Sequence, residues 1–350
     1  MKIAQIAPLA ESVPPKAYGG TERIVSYLTE ELVRQGHEVT LFASGDSVTR
    51  AELHATVPKA LRLLPSVKDP WPYAALQLEE VRARADEFDV LHFHWDYMHL
   101  PLMRALGLGN IVTTMHGRLD LDGYPALFDT FSDAALVSIS EQQRRPLPRC
   151  NWVGTVHHGL PSEVCRFEPQ SRGDYLAFLG RISPEKRADR AIEIAGRAGM
   201  KLKIAAKVDA ADARYFRESI EPLLAHSHVE FVGEIGERDK CDFLGQATAL
   251  LFPIDWPEPF GLVMIEAMSC GTPCIAWRAG SVPEIISEGT NGFIVDSIDS
   301  AVAAVHKAGT LDRHAVRANF LQRFSAERMT RDYLAIYRHV AERHLGKVAA

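Results

Sequence analysis

Two glutamates with seven residues between them, Glu258 and Glu266, head the side chains that could do chemistry in this sequence. They lie in PEPFGLVMIEAMSCGTP, residues 257–273. Glu266 sits among Leu262, Val263, Met264, Ile265, Ala267 and Met268, a segment apolar on nearly every side and therefore expected as a buried helix. A buried carboxylate without a partner is strongly destabilising, so Glu266 must meet either a buried arginine or a hydroxyl-rich ligand. Glu258 precedes that helix between Pro257 and Pro259, which stiffen its loop. Gly261 then lets backbone N–H groups around Phe260 and Leu262 approach a ligand at the helix N-terminus, where anions are favoured.

A second constellation is GRISPEK, residues 180–186. Arg181 and Lys186 fall at a strand end and a helix start, where a diphosphate would meet two cations and a positive helix terminus. Arg187 beside them reads as a solvated neighbour. A third is YGGTER, residues 18–23, in which Gly19 and Gly20 precede a helix with Thr21 as the expected N-cap. No G-x-G-x-x-G follows a strand and no G-x-x-x-x-G-K-[ST] occurs, so the dinucleotide fingerprint and the P-loop are both missing.

Histidines form the remaining set. His92 and His94 alternate along one strand and are followed by Asp96, but the sequence supplies no further ligands to complete a metal site. They read as polar residues lining a cleft, with His94, Asp96 and Asp120 assigned to the acceptor side. His116 closes TTMHG after the next strand, and His158 stands in HHGLP. Asp120-Leu121-Asp122 is a D-x-D, a metal-binding pattern elsewhere, but it lies in a Gly-flanked loop and reads as coincidence or acceptor contact.

These motifs together resemble family 4 of the retaining glycosyltransferases, whose E-x7-E motif matches Glu258 and Glu266 in the context EPFG, EAM and G-T-P. The resemblance spans Gly19 to Gly292 and implies a GT-B fold, two doubly wound Rossmann-like domains facing across a cleft. It implies that Arg181 and Lys186 clamp a donor diphosphate and that Gly19 and Gly20 reach over it. Glu258 would hold sugar hydroxyls, Glu266 the ribose, and His116 would stand beside donor phosphate and acceptor. Glu234 and Ile235, which follow the strand Val229–Val232, are assigned to the donor side as well. Catalysis is expected to rest on His116, Arg181, Lys186 and Glu258. His158 departs from the Asn or Pro usual before that Gly, and Ala279-Gly280-Ser281 departs from a more usual Gly-Gly.

The implied reaction transfers a hexose, with UDP-glucose as the leading donor, to an acceptor hydroxyl with retention of configuration. Cations and helix termini can stabilise the leaving diphosphate, so neither a metal nor a cofactor is expected. Epimerisation or hydrolysis of the sugar nucleotide on the same fold, or an inactive nucleotide-binding scaffold, are the alternatives.

The elements that must position these residues follow from periodicity. Strands are expected at Ile3–Ala7, Val39–Ala43, Val90–Phe93, Ile111–Met115, Ala135–Ser138 and Val153–Val156, with a helix over Glu22–Gln35 that ends at Gly36. After a linker at Glu168–Asp174 the alternation restarts: Leu176–Leu179, Leu202–Ala205, Val229–Val232, Ala249–Phe252, Cys274–Ala276 and Phe293–Val295. Helices are expected near 186–198, 211–224, 237–247, 261–269 and 298–308. The pattern gives an α/β chain with domains at 1–167 and 168–326, and a last helix, 327–350, folding back on the first. Ligands in such sheets bind beyond the carboxyl ends of the strands.

Composition agrees with this outline. The 350 residues exceed one ordinary core, and a net charge of −6 with no basic half argues against nucleic acid and gives no membrane signal. The first residues are too short and polar an apolar stretch for a signal peptide, and no run of 18 apolar residues occurs, so the cytoplasm is expected. The five cysteines, without a C-x-x-C pair, read as free core thiols. A homodimer stays open.

Overall fold

The computed structural model describes residues 1–16, 19–170 and 173–348, without the side chains of Arg238 and 345–348. Tyr18 of the glycine loop and Ser171 and Arg172 of the linker therefore lie outside the described residues. The chain forms two compact units, Met1–Gly159 with Ala326–Ala350, and Leu160–Ser325.

The first unit is built on seven parallel strands in the order β3-β2-β1-β4-β5-β6-β7. They are β1 (Lys2–Ile6), β2 (Glu38–Ser44), β3 (Glu52–Val57), β4 (Val90–Phe93), β5 (Ile111–Thr114), β6 (Leu136–Ser138) and β7 (Trp152–Thr155). Continuous apolar runs such as Ile3, Ala4 and Ile6 suit strands covered on both faces. Helix α1 (Gly20–Arg34) buries Ile24, Val25, Leu28 and Leu32 on one stripe. The C-terminal helix, Ala326–Val348, packs on α1, β4 and β5 and buries Tyr333 and Tyr337 completely.

The second unit holds six parallel strands in the order β10-β9-β8-β11-β12-β13. These are β8 (Tyr175–Arg181), β9 (Lys201–Lys207), β10 (Val229–Gly233), β11 (Ala249–Phe252), β12 (Cys274–Trp277) and β13 (Gly292–Val295). The helix following β8 spans Ala188–Arg197, and its Ala191, Ile192, Ile194 and Ala195 join a core with Leu202, Ile204 and Leu251. The motif helix spans Leu262–Ser269. Its Met264, Ile265, Ala267 and Met268 are fully buried, each larger side chain contributing about 1.5–3 kcal/mol relative to exposure.

Several local expectations need correction. Strand β3 is an addition to the expected set: Leu53, Ala55 and Val57 alternate with Glu52, His54 and Thr56, the period-2 pattern of an edge strand, so its signal is present in the sequence. The segment 211–224 is not one helix: Ala213–Tyr215 opens into a π-turn, Phe216–Ile220, and then a 3₁₀ turn, Glu221–Ala225. Pro222 cannot donate to the α-helical ladder there. A further helix, Arg313–Phe324, is capped by the Asp312 carboxylate, which accepts from the His314 N–H at 2.9 Å. Its buried Val316, Phe320 and Phe324 recur every fourth residue, a signal present in the sequence. Helix α1 is capped by Gly19, and Thr21 lies inside the helix.

The cysteines also differ from expectation. Cys165 and Cys241 form a disulfide with Cα atoms 5.2 Å apart, while Cys150, Cys270 and Cys274 remain free. That bridge ties the segment after Leu160 into the second unit, as does the Leu160 N–H donating to Phe324 O at 2.9 Å. The chain therefore passes between units at Gly159/Leu160, whereas linker composition places the division at 167/168.

Candidate functional site

In the second unit the strand order reverses between β8 and β11, the place where such sheets open a crevice. Arg181 ends β8, Lys186 follows in the turn Pro184–Lys186, and the loop after β11 carries Glu258. The two loops are joined by the Asp255 N–H, which donates to Glu185 O at 2.8 Å. Lys186 is ion-paired with Glu258, and the Trp256 indole N–H donates to the same carboxylate oxygen at 2.9 Å. The Lys186 ammonium also lies over the rings of Trp256 (5.3 Å) and Phe252 (5.8 Å). Arg181 meets Glu185 at 3.3 Å and Asp209 at 3.6 Å, and its buried Nε–H finds no hydrogen-bond partner among the described residues.

The Glu258 loop is held from behind by Ala279-Gly280-Ser281. The Ser281 N–H donates to Glu258 O at 3.0 Å, and the Ser281 hydroxyl donates to Phe260 O at 2.6 Å. Gly280 has a φ of 51°, and a Cβ there would overlap the Glu258 backbone. Gly261, with a φ of 83°, caps the motif helix, and a Cβ there would stand 2.8 Å from Met264 Cε. Gly280 is thus required by close approach to the Glu258 backbone, and Gly261 by its left-handed φ.

Glu266 is buried, and its protein partner is a lysine rather than an arginine: Lys240, from the helix Glu237–Gly245, donates to Glu266 Oε1 at 2.9 Å. Lys240 also meets Glu237 at 2.6 Å, so one ammonium is shared between two carboxylates. The sequence marks Lys240 only as an isolated cation on a polar helix, so this pairing was not legible. Arg187 is half-buried and ion-paired rather than a free solvated cation. It adopts a φ of 56° and binds Asp189 at 2.8 Å and Asp255 at 2.9 Å. Glu234 and Ile235 follow β10, outside this cluster of ion pairs, with Glu234 exposed.

In the first unit the order reverses between β1 and β4. There the strand ends deliver histidines. His94 and His116 meet at 3.0 Å, Nδ1 to Nε2, and His116 stacks on His158 with ring centres 5.4 Å apart. His94 Nε2 lies 2.7 Å from Gln5 Oε1, and the Gln5 amide N–H donates to the Tyr337 hydroxyl at 3.1 Å. His92 bridges Tyr337 (2.6 Å) and Thr114 (2.7 Å), and Thr114 meets Tyr333 at 2.9 Å. Gln5, Tyr333 and Tyr337 are site-shaping residues that no motif announces, two of them arriving from the far end of the chain.

Burial drives these rings to the neutral form. It holds His116 down to about 3 and His92, His94 and His158 well below the ordinary imidazole value, with neighbouring histidines adding to the last three. Asp96 is half-buried, which pushes its carboxyl up. Asp120 lies apart from this group in an exposed bidentate pair with Arg118, at 2.7 and 2.8 Å. Among the described residues no three His, Cys, Asp or Glu side chains gather as a metal cage. Nor, among the described residues, is any helix long and apolar enough to cross a membrane.

Comparison with known proteins follows the same division. Residues 18–158 match the Glycosyltransferase Family 4 model and residues 166–319 the Glycosyl transferases group 1 model. The N-acetyl-alpha-D-glucosaminyl L-malate synthase of Bacillus anthracis is 25% identical, over 91% of this chain and 93% of that protein. A GDP-mannose-dependent alpha-(1-6)-phosphatidylinositol dimannoside mannosyltransferase of Mycobacterium tuberculosis is 28% identical, over 87% of this chain and 86% of its own. The crystal structure of AviGT4, a glycosyltransferase involved in avilamycin A biosynthesis, superposes with a TM-score of 0.74 at 25% identity, covering 97% of this chain and 98% of that one. With parallel sheets of seven and six strands, the chain belongs to the family 4 glycosyltransferases of GT-B fold.

Proposed function

We propose that this glycosyltransferase moves a hexose from a nucleoside-diphosphate sugar to an acceptor hydroxyl, with retention and without a metal ion. The observation that carries the reading is the Lys186–Glu258–Trp256 cluster beyond the ends of β8 and β11. A diphosphate arriving there would compete with carboxylates for Lys186 and Arg181, freeing Glu258 to accept hydrogen bonds from sugar hydroxyls. As the anomeric C–O bond breaks, negative charge grows on the departing phosphate oxygen, and fixed cations stabilise it without rearranging. Glu266, oriented by Lys240, is suited to accept from ribose hydroxyls.

Relatives supply the choice of donors to test: one is named for GDP-mannose and another for an N-acetylglucosaminyl product. UDP-glucose is put first, beside UDP-N-acetylglucosamine and GDP-mannose. Nucleotide release is measured for each, with and without an acceptor mixture, before and after exhaustive chelation. Acceptor-dependent release that survives chelation is the expected result. Release that returns only with Mn²⁺ refutes the metal-free mechanism, and release indifferent to acceptors makes the protein a sugar-nucleotide hydrolase.

A further inference from the structure

The buried chain Tyr337–Gln5–His94–His116 has a direction, and that direction fixes which nitrogen of His116 is free. Gln5 gives its amide N–H to the Tyr337 hydroxyl at 3.1 Å, so the oxygen that it turns to His94, 2.7 Å away, can only accept. His94 Nε2 must therefore carry a hydrogen. A neutral imidazole has only one, so His94 Nδ1 is a bare lone pair facing His116 Nε2 at 3.0 Å. His116 Nε2 must then be the N–H. The remaining nitrogen, His116 Nδ1, is a lone pair, and it is buried without a hydrogen-bond partner among the described residues.

The geometry points to Gln5 and His94 as positioning residues that lock His116 in its Nε2–H tautomer, leaving Nδ1 as a hydrogen-bond acceptor. Burial keeps both rings neutral, so each carries a single ring hydrogen. The functional consequence rests on the reading of His116 as a site residue. A bare nitrogen takes a hydrogen bond or a proton from an O–H group. It has nothing to offer a phosphate oxygen, so His116 serves a hydroxyl and leaves the diphosphate to the cations. The anchor of the chain, Tyr337, is itself fixed by His92 at 2.6 Å, so the C-terminal helix sets the tautomer of a residue more than 200 positions upstream.

The test is nitrogen NMR on the full chain labelled at histidine with ¹⁵N, with His116 assigned from the signals that vanish in His116→Gln. In the wild type, Nε2 of His116 should be protonated and Nδ1 should show the shift of a bare ring nitrogen. Gln5→Leu removes the directing acceptor and should mix the tautomers, whereas Gln5→Glu keeps an acceptor and should preserve the wild-type pattern. Under the donor that supports turnover, Gln5→Leu should lower kcat at least about tenfold with donor KM within about twofold, because a wrong tautomer harms the reacting state more than ground-state binding. Protonation of Nδ1 in the wild type, or a tautomer unmoved in Gln5→Leu, overturns the inference. Turnover retained in His116→Ala would instead sink the functional reading of His116, while the spectrum still decides its tautomer.

Discussion

The two units share a parallel-sheet plan, with strand order 3-2-1-4-5-6-7 in one and the corresponding reversal between β8 and β11 in the other. Their reversal points are filled by opposite chemistries. The first gathers neutral, buried imidazoles, a glutamine and two tyrosines in a continuous hydrogen-bond network. The second gathers full charges in pairs: Lys186 with Glu258, Lys240 with Glu266, Arg181 with Glu185 and Asp209. A common backbone topology sets where a site opens, and the side chains at two strand ends decide what it can do. The neutral network suits directed hydrogen bonding to hydroxyls, and the ionic one suits exchange of a carboxylate for a diphosphate.

Acid should break this contrast most strongly. A histidine whose folded value lies below its unfolded value contributes stability that is present above the unfolded value and lost as pH falls below it. The window here opens near pH 6.5 and extends down towards the depressed folded values, about 3 for His116. Each ring costs up to about 1.4 kcal/mol per pH unit, so His92, His94, His99, His116 and His158 set a ceiling of about 7 kcal/mol between pH 6.5 and 5.5. The lowered carboxyls of the second unit, Asp174, Asp189 and Asp209, respond only below pH 4. Hydrogen exchange read by mass spectrometry at pH 7.0 and 5.5, corrected for intrinsic rates, should show β1, β4 and β5 losing protection while β8 and β11 keep theirs. Equal losses in both units would remove the distinction.

Charge deletion probes the other side. Arg181→Ala and Lys186→Ala should each lower kcat/KM by ~10²-fold or more, as loss of a fixed charge-stabilising donor does. Arg181→Ala should melt near the wild-type temperature, since the pairs it breaks are partly exposed, whereas Lys186→Ala leaves the mostly buried Glu258 carboxylate with the Trp256 N–H and should melt somewhat lower while staying folded. Normal kinetics in both variants would move the diphosphate elsewhere.

A smaller effect sharpens the division within the second unit. Lys240→Met should weaken the binding of free nucleoside diphosphate about tenfold, because Glu266 loses the donor that orients it. Glu258→Ala should bind that nucleotide nearly as well as wild type yet fail in transfer, because sugar hydroxyls lose their acceptor. Calorimetry on both variants checks this, and equal losses would make the two glutamates one nucleotide-binding unit.

Sequence alone determined the class of fold, the strands at both reversal points and the glutamates, cations and His116 placed at their ends. These follow from local facts: apolar runs, turn residues and a carboxylate stranded in an apolar helix. It misjudged whatever depends on a distant partner. Lys240 became the counter-ion of Glu266, Arg187 a doubly paired cation, and Cys165 and Cys241 a disulfide across 76 positions. Gln5, Tyr333 and Tyr337 entered the histidine network only because the C-terminal helix packs on β4 and β5. Periodicity reports which face of an element is covered, because that depends on neighbours three or four residues away. It carries no record of which polar atom will arrive from hundreds of residues off, and that arrival decides the pairing, the protonation and the free lone pair.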